Sequence, residues 1–345
     1  MTNEIRTYKA GIYKGANTVI VEERPLPEIG AKDVLLRNER GGICGTDINI
    51  VKSGSEMGIR FDHEFGHEFA GIIEKVGAEV EGITEGMRVA INPITAKRVG
   101  RRYSLEAGAF SQYVVIEDAA INYNLFLLGE DVTPEEGALV EPMSVGCHGA
   151  FSIHPKPEEN IVVLGAGPIG LSAAAMLIGE GIKNVVVVDM VDWRLAKAEE
   201  IGAKTINTSN VSLQEGLISI FGTTHVYGVE MPNVDGFIDA AGAEPLFQQV
   251  MQMVKPNARY AIIAVYKNEI PISLAQVMSK EVQIIGASGY TNTDILRVID
   301  HINNRKTPIA TMVTQVYKLS DIQKAFDTAI AAKDSIKVLV DLTDE

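Results

Sequence analysis

Near its middle the chain reads IVVLGAGPIG over residues 161–170, and these ten residues predict the type of fold. The run Ile-Val-Val-Leu is continuously apolar, which is typical of a strand buried on both faces. Gly165, Gly167 and Gly170 satisfy the pattern G-x-G-x-x-G, and Pro168 and Ile169 open an Ala-rich stretch that predicts a helix. Strand, glycine turn and helix in this order predict a loop that binds a dinucleotide.

The residue that closes the next apolar run indicates which dinucleotide is bound. Asp189 follows Gly170 by 19 residues. A carboxylate at this position accepts hydrogen bonds from the adenosine ribose and repels a 2′-phosphate, so NAD is predicted rather than NADP. Arg194 lies close by and could accommodate a 2′-phosphate. We interpret it instead as an arginine at a helix start that stacks near the adenine or faces solvent.

Further apolar runs follow the glycine motif at 185–188, 236–238, 260–265 and 282–285, with a helical stretch at 193–201. Continuous strands that alternate with helices predict an α/β, Rossmann-type doubly wound parallel sheet. The uncharged stretch 161–179 has the length of a membrane span, but its β-branched, Gly/Pro and Ala-rich segments indicate strand, turn and helix.

The first ~150 residues differ from this pattern, because short β-like runs at 33–37, 71–76 and 88–91 are separated by glycines. They predict a mostly β domain. After Tyr290 come a predicted helix at 294–303, a strand at 311–317, a helix at 320–332 with Ser320-Asp321 as its capping signal, and a strand at 337–340. The predicted domains are residues 1–149 with 292–345, which form the catalytic domain, and residues 150–291, which bind the dinucleotide.

The bulk composition excludes several classes of partner. The chain has 345 residues and a net charge of −14, which disfavours binding to nucleic acid or to an anionic membrane surface. Only Cys44 and Cys147 are cysteines, so a disulfide framework is excluded and a cytoplasmic location is expected. The N-terminal residues contain no apolar segment of a secretory signal.

Three potential metal ligands lie upstream of the glycine motif. Cys44 stands in GGICGTD (residues 41–47), and His67 and Glu68 stand in GHEFAG (residues 66–71). A thiolate, an imidazole and a carboxylate are the ligand types that zinc takes, and a catalytic site keeps one position open. Together with a dinucleotide loop they suggest metal-assisted hydride transfer. Their spacing alone also fits a small core cysteine and a structural histidine.

The sequence motifs around these residues resemble those of the zinc-dependent medium-chain dehydrogenases, the family of alcohol, polyol and threonine dehydrogenases. The resemblance covers nearly the whole chain and includes GAFSQY at 108–113, EPMSV at 141–145, the glycine motif, and the closing helix and strand. The run Glu141-Pro142-x-Ser144-Val145-x-x-His148 is most similar to the sorbitol-type polyol branch. The resemblance implies a GroES-like catalytic domain beside the Rossmann domain.

The resemblance also implies residue roles. Cys44 and His67 would bind one catalytic zinc, Glu68 would lie at the metal or just behind it, and Glu141 occupies the position of a second cysteine in classical alcohol dehydrogenases. Whether Glu68, Glu141 or both bind the metal stays open. Thr46 would hydrogen-bond the substrate oxygen, while zinc lowers the pKa of the substrate hydroxyl as a Lewis acid and NAD accepts the hydride.

The chain departs from the family pattern near the lobe that often holds a structural zinc. No cysteine lies between Asn92-Pro93 and Cys147, so no structural zinc is expected, and Cys147 is interpreted as a core residue. The segment contains Lys97, Arg98, Arg101 and Arg102 instead. We interpret these as a solvated loop; the alternative is contact with an anionic substrate or a neighbouring subunit.

Two more departures concern the proton and the substrate. Asn49 stands where relatives often have a histidine that relays the alcohol proton, so the proton must leave by water with Glu68 or Glu141, or through His63. Polyol dehydrogenases often have Arg-Tyr after the last Rossmann strand. Here the run is Ser-Gly-Tyr at 288–290, so Tyr290 stays a predicted substrate residue but sorbitol itself is in doubt.

The sequence therefore predicts a zinc-dependent, NAD-linked enzyme of carbohydrate metabolism that oxidises a secondary alcohol of a polyol, sugar or cyclitol to a ketone. One alternative is an amino-alcohol dehydrogenase of the threonine type. Another is a zinc-free NAD-binding sensor or scaffold, which would have no need for four metal-ligand residues. The apolar run 282–285 is a predicted edge strand, and an unpaired edge favours a homodimer or homotetramer.

Overall fold

A computed structural model describes residues 6–54, 59–96, 104–226 and 228–343. Its contacts divide the chain into two compact units. The first unit comprises Met1–Glu141, Ile295–Asn303 and Val313–Glu345, and the second comprises Pro142–Asp294 and Asn304–Met312. These units are defined by contacts, and the domain bounds predicted from the sequence remain a separate prediction. None of the described helices is both long enough and apolar enough to cross a membrane.

The elements up to the glycine motif are mostly short strands. The strands are β1 (Thr7–Tyr13), β2 (Val19–Pro25), β3 (Val34–Gly42), β4 (His63–Glu64), β5 (Glu68–Val76), β6 (Arg88–Ile91), β7 (Tyr113–Ile116) and β8 (Leu125–Leu127). The helices are α1 (Gly45–Ser53), α2 (Pro134–Ala138) and α3 (Val140–Ser152).

From the glycine motif onwards, strands and helices alternate. The strands are β9 (Asn160–Leu164), β10 (Asn184–Asp189), β11 (Lys204–Asn207), β12 (Thr223–Val226), β13 (Val229–Pro232), β14 (Gly236–Asp239), β15 (Arg259–Ile262) and β16 (Gln283–Gly286). The helices are α4 (Pro168–Gly179), α5 (Asp192–Ile201), α6 (Leu213–Phe221), α7 (Glu244–Met253) and α8 (Leu274–Lys280). The chain closes with α9 (Asn292–Asn303), β17 (Val313–Lys318), α10 (Ile322–Ala331) and β18 (Lys337–Asp341).

The first unit is built on a seven-stranded sheet of order β17-β18-β3-β5-β6-β8, with β7 paired to β3, and on a three-stranded sheet of order β2-β1-β4. Helix α10 packs on this unit through an aromatic cluster. Phe65 lies 4.9 Å from Phe110 and 5.5 Å from Phe326 between ring centroids. Aromatic pairs of this kind contribute about 0.5–1.5 kcal/mol beyond the area that they bury. The mostly β character predicted for this part of the chain is confirmed.

The second unit contains a parallel six-stranded sheet of order β11-β10-β9-β14-β15-β16. The apolar runs of β9 and β10 are buried, as strands covered on both faces require. The strand order reverses between β9 and β14, and the glycine motif follows β9 directly. The predicted doubly wound parallel sheet is confirmed, and β16 is its edge strand as expected.

The structure shifts two of the predicted boundaries near the C-terminal end of the chain by about two residues. A 3-10 turn covers Ile309–Met312, so the predicted strand at 311–317 starts only at Val313. A second 3-10 turn covers Leu319–Asp321, and α10 follows from Ile322. Asp321 makes no side-chain capping bond there, because the chain enters the helix through the turn rather than through the capping arrangement that Ser320-Asp321 indicated.

Candidate metal centre and cofactor loop

Cys44 is the residue at which α1 begins. It has the extended backbone of a helix N-cap, and its N–H donates a 2.9 Å hydrogen bond to the carboxylate of Asp47. The Cys44 side chain is partly exposed. A thiolate at a helix start faces the positive end of the helix dipole, which favours negative charge. Cys44 thus places a soft potential ligand at the N-terminal end of α1.

His67 and Glu68 are presented by the turn into β5 and are both buried. Gly66 makes this turn with a φ of 87°, and a Cβ there would lie 2.6 Å from the ring of Phe110. One potential ligand atom from each of Cys44, His67 and Glu68 lies within 4.8 Å of the other two, which is the one such group among the described residues. The structure therefore brings together three of the four predicted metal ligands.

A glycine makes room for the carboxylate of Glu68. Gly42 is paired with Glu68 across β3 and β5, and a Cβ on Gly42 would lie 2.4 Å from Glu68 Oε2. A larger residue would therefore displace the carboxylate from the 4.8 Å group. This explains why a glycine precedes Ile43 and Cys44 in the motif GGICGTD.

Lys337 binds Glu68 and is a site residue that the sequence analysis missed. Its Nζ donates to Glu68 Oε2 at 2.6 Å, to Oε1 at 2.9 Å and to the carbonyl of Ile43 at 3.1 Å. Burial lowers the pKa of Lys337, but Glu68, Cys44 and Glu141 outweigh burial and leave that pKa raised. The lysine therefore stays charged. Its signal in the sequence was a cation at the start of an otherwise apolar strand.

Asp47 is the second residue that the sequence analysis missed. It is completely buried, and its Oδ1 lies 3.7 Å from Nδ1 of His67. Burial raises the pKa of Asp47 to about 6. Burial lowers the pKa of His67, but Asp47, Cys44 and Glu141 raise it well above its ordinary value. Without a metal these charges favour the protonated imidazole, and a metal would displace the proton from the one nitrogen that it binds.

Glu141 lies near this group as the second residue of α3 and is half-buried. The 4.8 Å group does not include it. Its charge nevertheless contributes to the raised pKa of both His67 and Lys337. Glu141 therefore adds a carboxylate to the electrostatic surroundings of the predicted metal site.

The remaining predicted residues of the catalytic site lie as follows. Thr46 is half-buried in the first turn of α1, and Asn49 is exposed on the same helix. His63 lies on β4 with its Nδ1 2.9 Å from the carbonyl of Phe61, and no described contact joins it to the 4.8 Å group. Tyr290 is half-buried just before α9. Lys97, Arg98, Arg101 and Arg102 lie outside the described residues.

The glycine motif has the geometry of a phosphate-binding loop. Gly165 has a φ of 100°, and a Cβ on Gly170 would lie 1.9 Å from the carbonyl oxygen of Gly165. A Cβ on Gly167 would meet only open space, which leaves the backbone accessible to a ligand. Pro168 and Ile169 are the first residues of α4, whose N-terminal N–H groups are available to a phosphate. The loop therefore fits the pyrophosphate of a dinucleotide.

Asp189 ends β10 beside this loop. Its Oδ2 accepts the N–H of Ala166 at 2.7 Å, and its Oδ1 accepts those of Met190 and Val191 at 2.7 and 3.1 Å. The loop therefore fixes the carboxylate next to the glycines. Arg194, in the first turn of α5, holds its guanidinium carbon 5.4 Å from the ring centroid of Trp193.

His148, the last residue of the polyol-type motif, binds another part of the second unit. Its Nδ1 lies 3.0 Å from Oδ2 of Asp294. The same oxygen accepts the N–H and the hydroxyl of Thr291, each at 2.8 Å. The buried Sγ of Cys147 lies 3.9 Å from the other oxygen of Asp294. These contacts connect α3 to the start of α9, and they place Cys147 in the core rather than in the 4.8 Å group.

Comparison with known proteins gives the family. The alcohol dehydrogenase GroES-like domain model matches residues 30–123, and the zinc-binding dehydrogenase model matches residues 168–304. Sorbitol dehydrogenase of Bacillus subtilis is 30% identical over 99% of this chain and 99% of its own. L-idonate 5-dehydrogenase of Vitis vinifera is 28% identical over 95% of this chain and 93% of its own.

A solved structure is similar over almost the entire chain. The 2R,3R-butanediol dehydrogenase of Bacillus subtilis has a TM-score of 0.84 and 24% identity, and the match covers 97% of this chain and 99% of the other. At this identity the likeness shows the fold. Taken with the matched domains and the 30% identical relative, it means that this chain belongs to the zinc-dependent medium-chain dehydrogenases and is of the polyol dehydrogenase type.

Proposed function

We propose that this protein oxidises a secondary alcohol of a polyol, sugar or cyclitol to a ketone, with one zinc ion and NAD. The observation that carries the proposal is the group of Cys44, His67 and Glu68, whose ligand atoms lie within 4.8 Å of one another in a chain that also has a complete dinucleotide loop. Sorbitol and L-idonate dehydrogenases are among its relatives, which supports polyhydroxylated substrates.

The charges of the site support a divalent cation. Three carboxyl side chains, those of Asp47, Glu68 and Glu141, interact with only two basic side chains, those of Lys337 and His67, so acidic groups outnumber basic groups at the site. Buried charges are stable when they are paired or when they coordinate a metal. Cys44, His67 and Glu68 would hold the zinc, with Glu141 as an adjacent carboxylate and Lys337 as the residue that positions Glu68.

The bound zinc would supply a Lewis acid that lowers the pKa of the substrate hydroxyl, and the nicotinamide would accept the hydride. Thr46 lies in the first turn of α1, two residues after Cys44, the proposed zinc ligand, and we assign its hydroxyl to the orientation of the substrate oxygen. Glu68 is fully buried against Lys337, whereas Glu141 is half-buried. We therefore assign the transfer of the proton towards solvent to Glu141, because Asn49 cannot titrate.

The substrate class can be tested with the intact holoenzyme. NAD reduction would be measured over a panel of polyols, sugars, cyclitols, hydroxy acids and threonine. Turnover of polyhydroxylated secondary alcohols, with threonine at background, is the expected result. Turnover of threonine alone would replace the proposal with the amino-alcohol alternative.

The cytoplasmic location expected from the cysteine count stays a prediction.

Asp189 is proposed to select NAD over NADP. Asp189→Ala removes the carboxylate next to Ala166, so we expect the preference for NAD, as a ratio of kcat/KM values, to fall by about tenfold or more. Asp192→Ala is the matched control, because Asp192 is an exposed carboxylate on the next helix that binds the side chain of Asn207. Equal preferences in the wild type and Asp189→Ala would remove the role of Asp189.

The second unit has an apolar surface that fits a second copy of the chain. The edge strand β16 has no partner on its outer side among the described strands. Helix α8 precedes it and has no buried residue, with Leu274 76% and Met278 72% exposed. Exposed apolar side chains and an open edge strand both favour pairing between copies. We therefore propose that the protein is a homodimer or a homotetramer built on this surface.

The assembly can be tested by charge substitution. Leu274→Glu with Met278→Glu should give a species of one chain mass, 37.3 kDa, in light scattering, while the wild type should show two or four chain masses. Leu296→Glu serves as control, since Leu296 is a partly exposed apolar residue on α9. A wild type that is monomeric, or a double variant that keeps the wild-type mass, would contradict this interface.

A further inference from the structure

Asp239, the last residue of β14, organises the segments that follow two neighbouring parallel strands. It is 1% exposed. Its backbone carbonyl accepts the N–H groups of Ile263 and Ala264, after β15, at 3.0 and 2.9 Å. Its Oδ1 accepts the N–H groups of Ala241 and Gly242 at 3.0 and 2.9 Å. The residue thus joins the turn after β14 to the segment after β15.

The second carboxylate oxygen of Asp239 binds two phenols. Tyr260 and Tyr266 both donate their hydroxyls to Oδ2, Tyr260 at 2.8 Å. Burial and the charge of Asp239 raise the pKa of both tyrosines, so both remain protonated donors. A buried carboxylate that accepts this many hydrogen bonds holds its partners in a fixed arrangement.

The two tyrosines have different surroundings. Tyr260 is 1% exposed and packs against Phe237 and Phe247, with ring centroids 6.1 and 5.3 Å apart. Tyr266 is half-buried and follows Val265, which is 89% exposed. Tyr260 therefore belongs to the core of the second unit, whereas Tyr266 lies at its surface, at the carboxyl end of the sheet.

The position of this cluster relates it to the cofactor loop. A Cβ on Gly165 would lie 3.3 Å from the Cβ of Ala241, so the turn made by Asp239 lies against the glycine motif. In open α/β sheets a ligand binds outside the carboxyl ends of the strands where the strand order reverses, here between β9 and β14. Asp189, at the end of β10, is the residue proposed to bind the adenosine ribose. The nicotinamide half of the cofactor would therefore extend in the opposite direction along the sheet, towards β14 and β15.

We propose that Tyr266 is a cofactor-positioning residue, whose phenol, fixed by Asp239, holds residues 263–266 in place as a preformed wall for the nicotinamide half of the dinucleotide. The inference rests on the proposed use of a nicotinamide cofactor. A wall that is already ordered reduces the entropy lost on binding, so its effect is on cofactor affinity rather than on the chemical step. The proposal separates Tyr266 from Tyr260, which binds the same oxygen but stabilises the core.

The test compares Tyr266→Phe with Tyr260→Phe in the zinc-loaded protein. Each substitution removes one hydroxyl and keeps the ring. Titration with NADH, followed by nucleotide fluorescence, should show a Kd about tenfold higher for Tyr266→Phe, the size expected for a lost hydrogen bond to a charged group. Its KM for NAD should rise in parallel, with kcat changed less than about twofold. Tyr260→Phe should keep the wild-type Kd and lower the Tm.

Two results would overturn the inference. One is a Kd for Tyr266→Phe equal to that of the wild type. The other is an equal loss of affinity in Tyr260→Phe, which would show that the loss follows from a weakened core. Failure of the wild type itself to bind NADH would instead contradict the proposed function, so the two failures are distinguishable.

Discussion

Cys44→Ser is expected to abolish both zinc binding and turnover while the protein stays folded. Serine removes the only soft ligand of the described 4.8 Å group, and the remaining imidazole and carboxylate bind zinc weakly. Zinc content should fall from about one ion per chain to background. NAD-linked turnover should fall by at least about 1,000-fold, since a metal contributes several kcal/mol to stabilising charge in the transition state.

The control for this variant is Cys147→Ser. Cys147 is buried in α3 near Asp294 and lies outside the 4.8 Å group, so its substitution should lower stability slightly and keep the zinc. NADH binding should survive in Cys44→Ser, because the glycine motif belongs to the second unit. Elemental analysis measures the zinc content, circular dichroism the folded state, and NADH titration the binding of the cofactor. Retained turnover in Cys44→Ser would refute the metal site.

Lys337→Met is expected to be the most destabilising single change at the site. It leaves the carboxylate of Glu68, 1% exposed, without its buried partner. Removal of one member of a buried ion pair costs about 3–5 kcal/mol of unfolding free energy. Denaturant unfolding of the metal-free protein should show this loss. Added zinc should restore part of the lost unfolding free energy, because a divalent cation compensates the charge of the carboxylate. Lys337→Arg keeps the positive charge, so its unfolding free energy should fall less than that of Lys337→Met.

The double variant Glu68→Gln with Lys337→Met separates the ion pair from the packing of the lysine. Because neither charge remains, its unfolding free energy should be higher than that of Lys337→Met alone. The pair would be shown not to stabilise the site by either of two results. One is a double variant whose loss of unfolding free energy equals the sum of the losses of the two single variants, and the other is a Lys337→Met variant within about 1 kcal/mol of the wild type.

Local patterns were sufficient to predict the second unit and to single out the three residues that the structure brings together in the 4.8 Å group. The glycine motif was predicted because each of its glycines answers a steric requirement of a short segment, as Gly170 against the carbonyl of Gly165 illustrates. The continuous apolar strands β9 and β10 follow from burial on both faces. Cys44, His67 and Glu68 were found because their surrounding motifs resemble those of a known family.

Contacts between distant residues could not be predicted in this way. Lys337 and Glu68 are 269 positions apart, and nothing near either residue indicates the other. The pairing of Asp47 with His67, and of Asp239 with two tyrosines, likewise depends on tertiary packing. The start of α10 was misplaced because Ser320-Asp321 has the composition of a cap, while the chain makes a 3-10 turn there. The branch of the family was recognisable, but the substrate was not.

Zinc titration tests whether this protein is a zinc-dependent, NAD-linked polyol dehydrogenase with one catalytic metal. Metal-free protein would receive increasing zinc while NADH formation is followed with the best polyhydroxylated substrate of the panel. The rate should rise until about one zinc per chain is bound and then stay constant. Full turnover without metal, or no turnover at any zinc content, would contradict zinc-dependent catalysis.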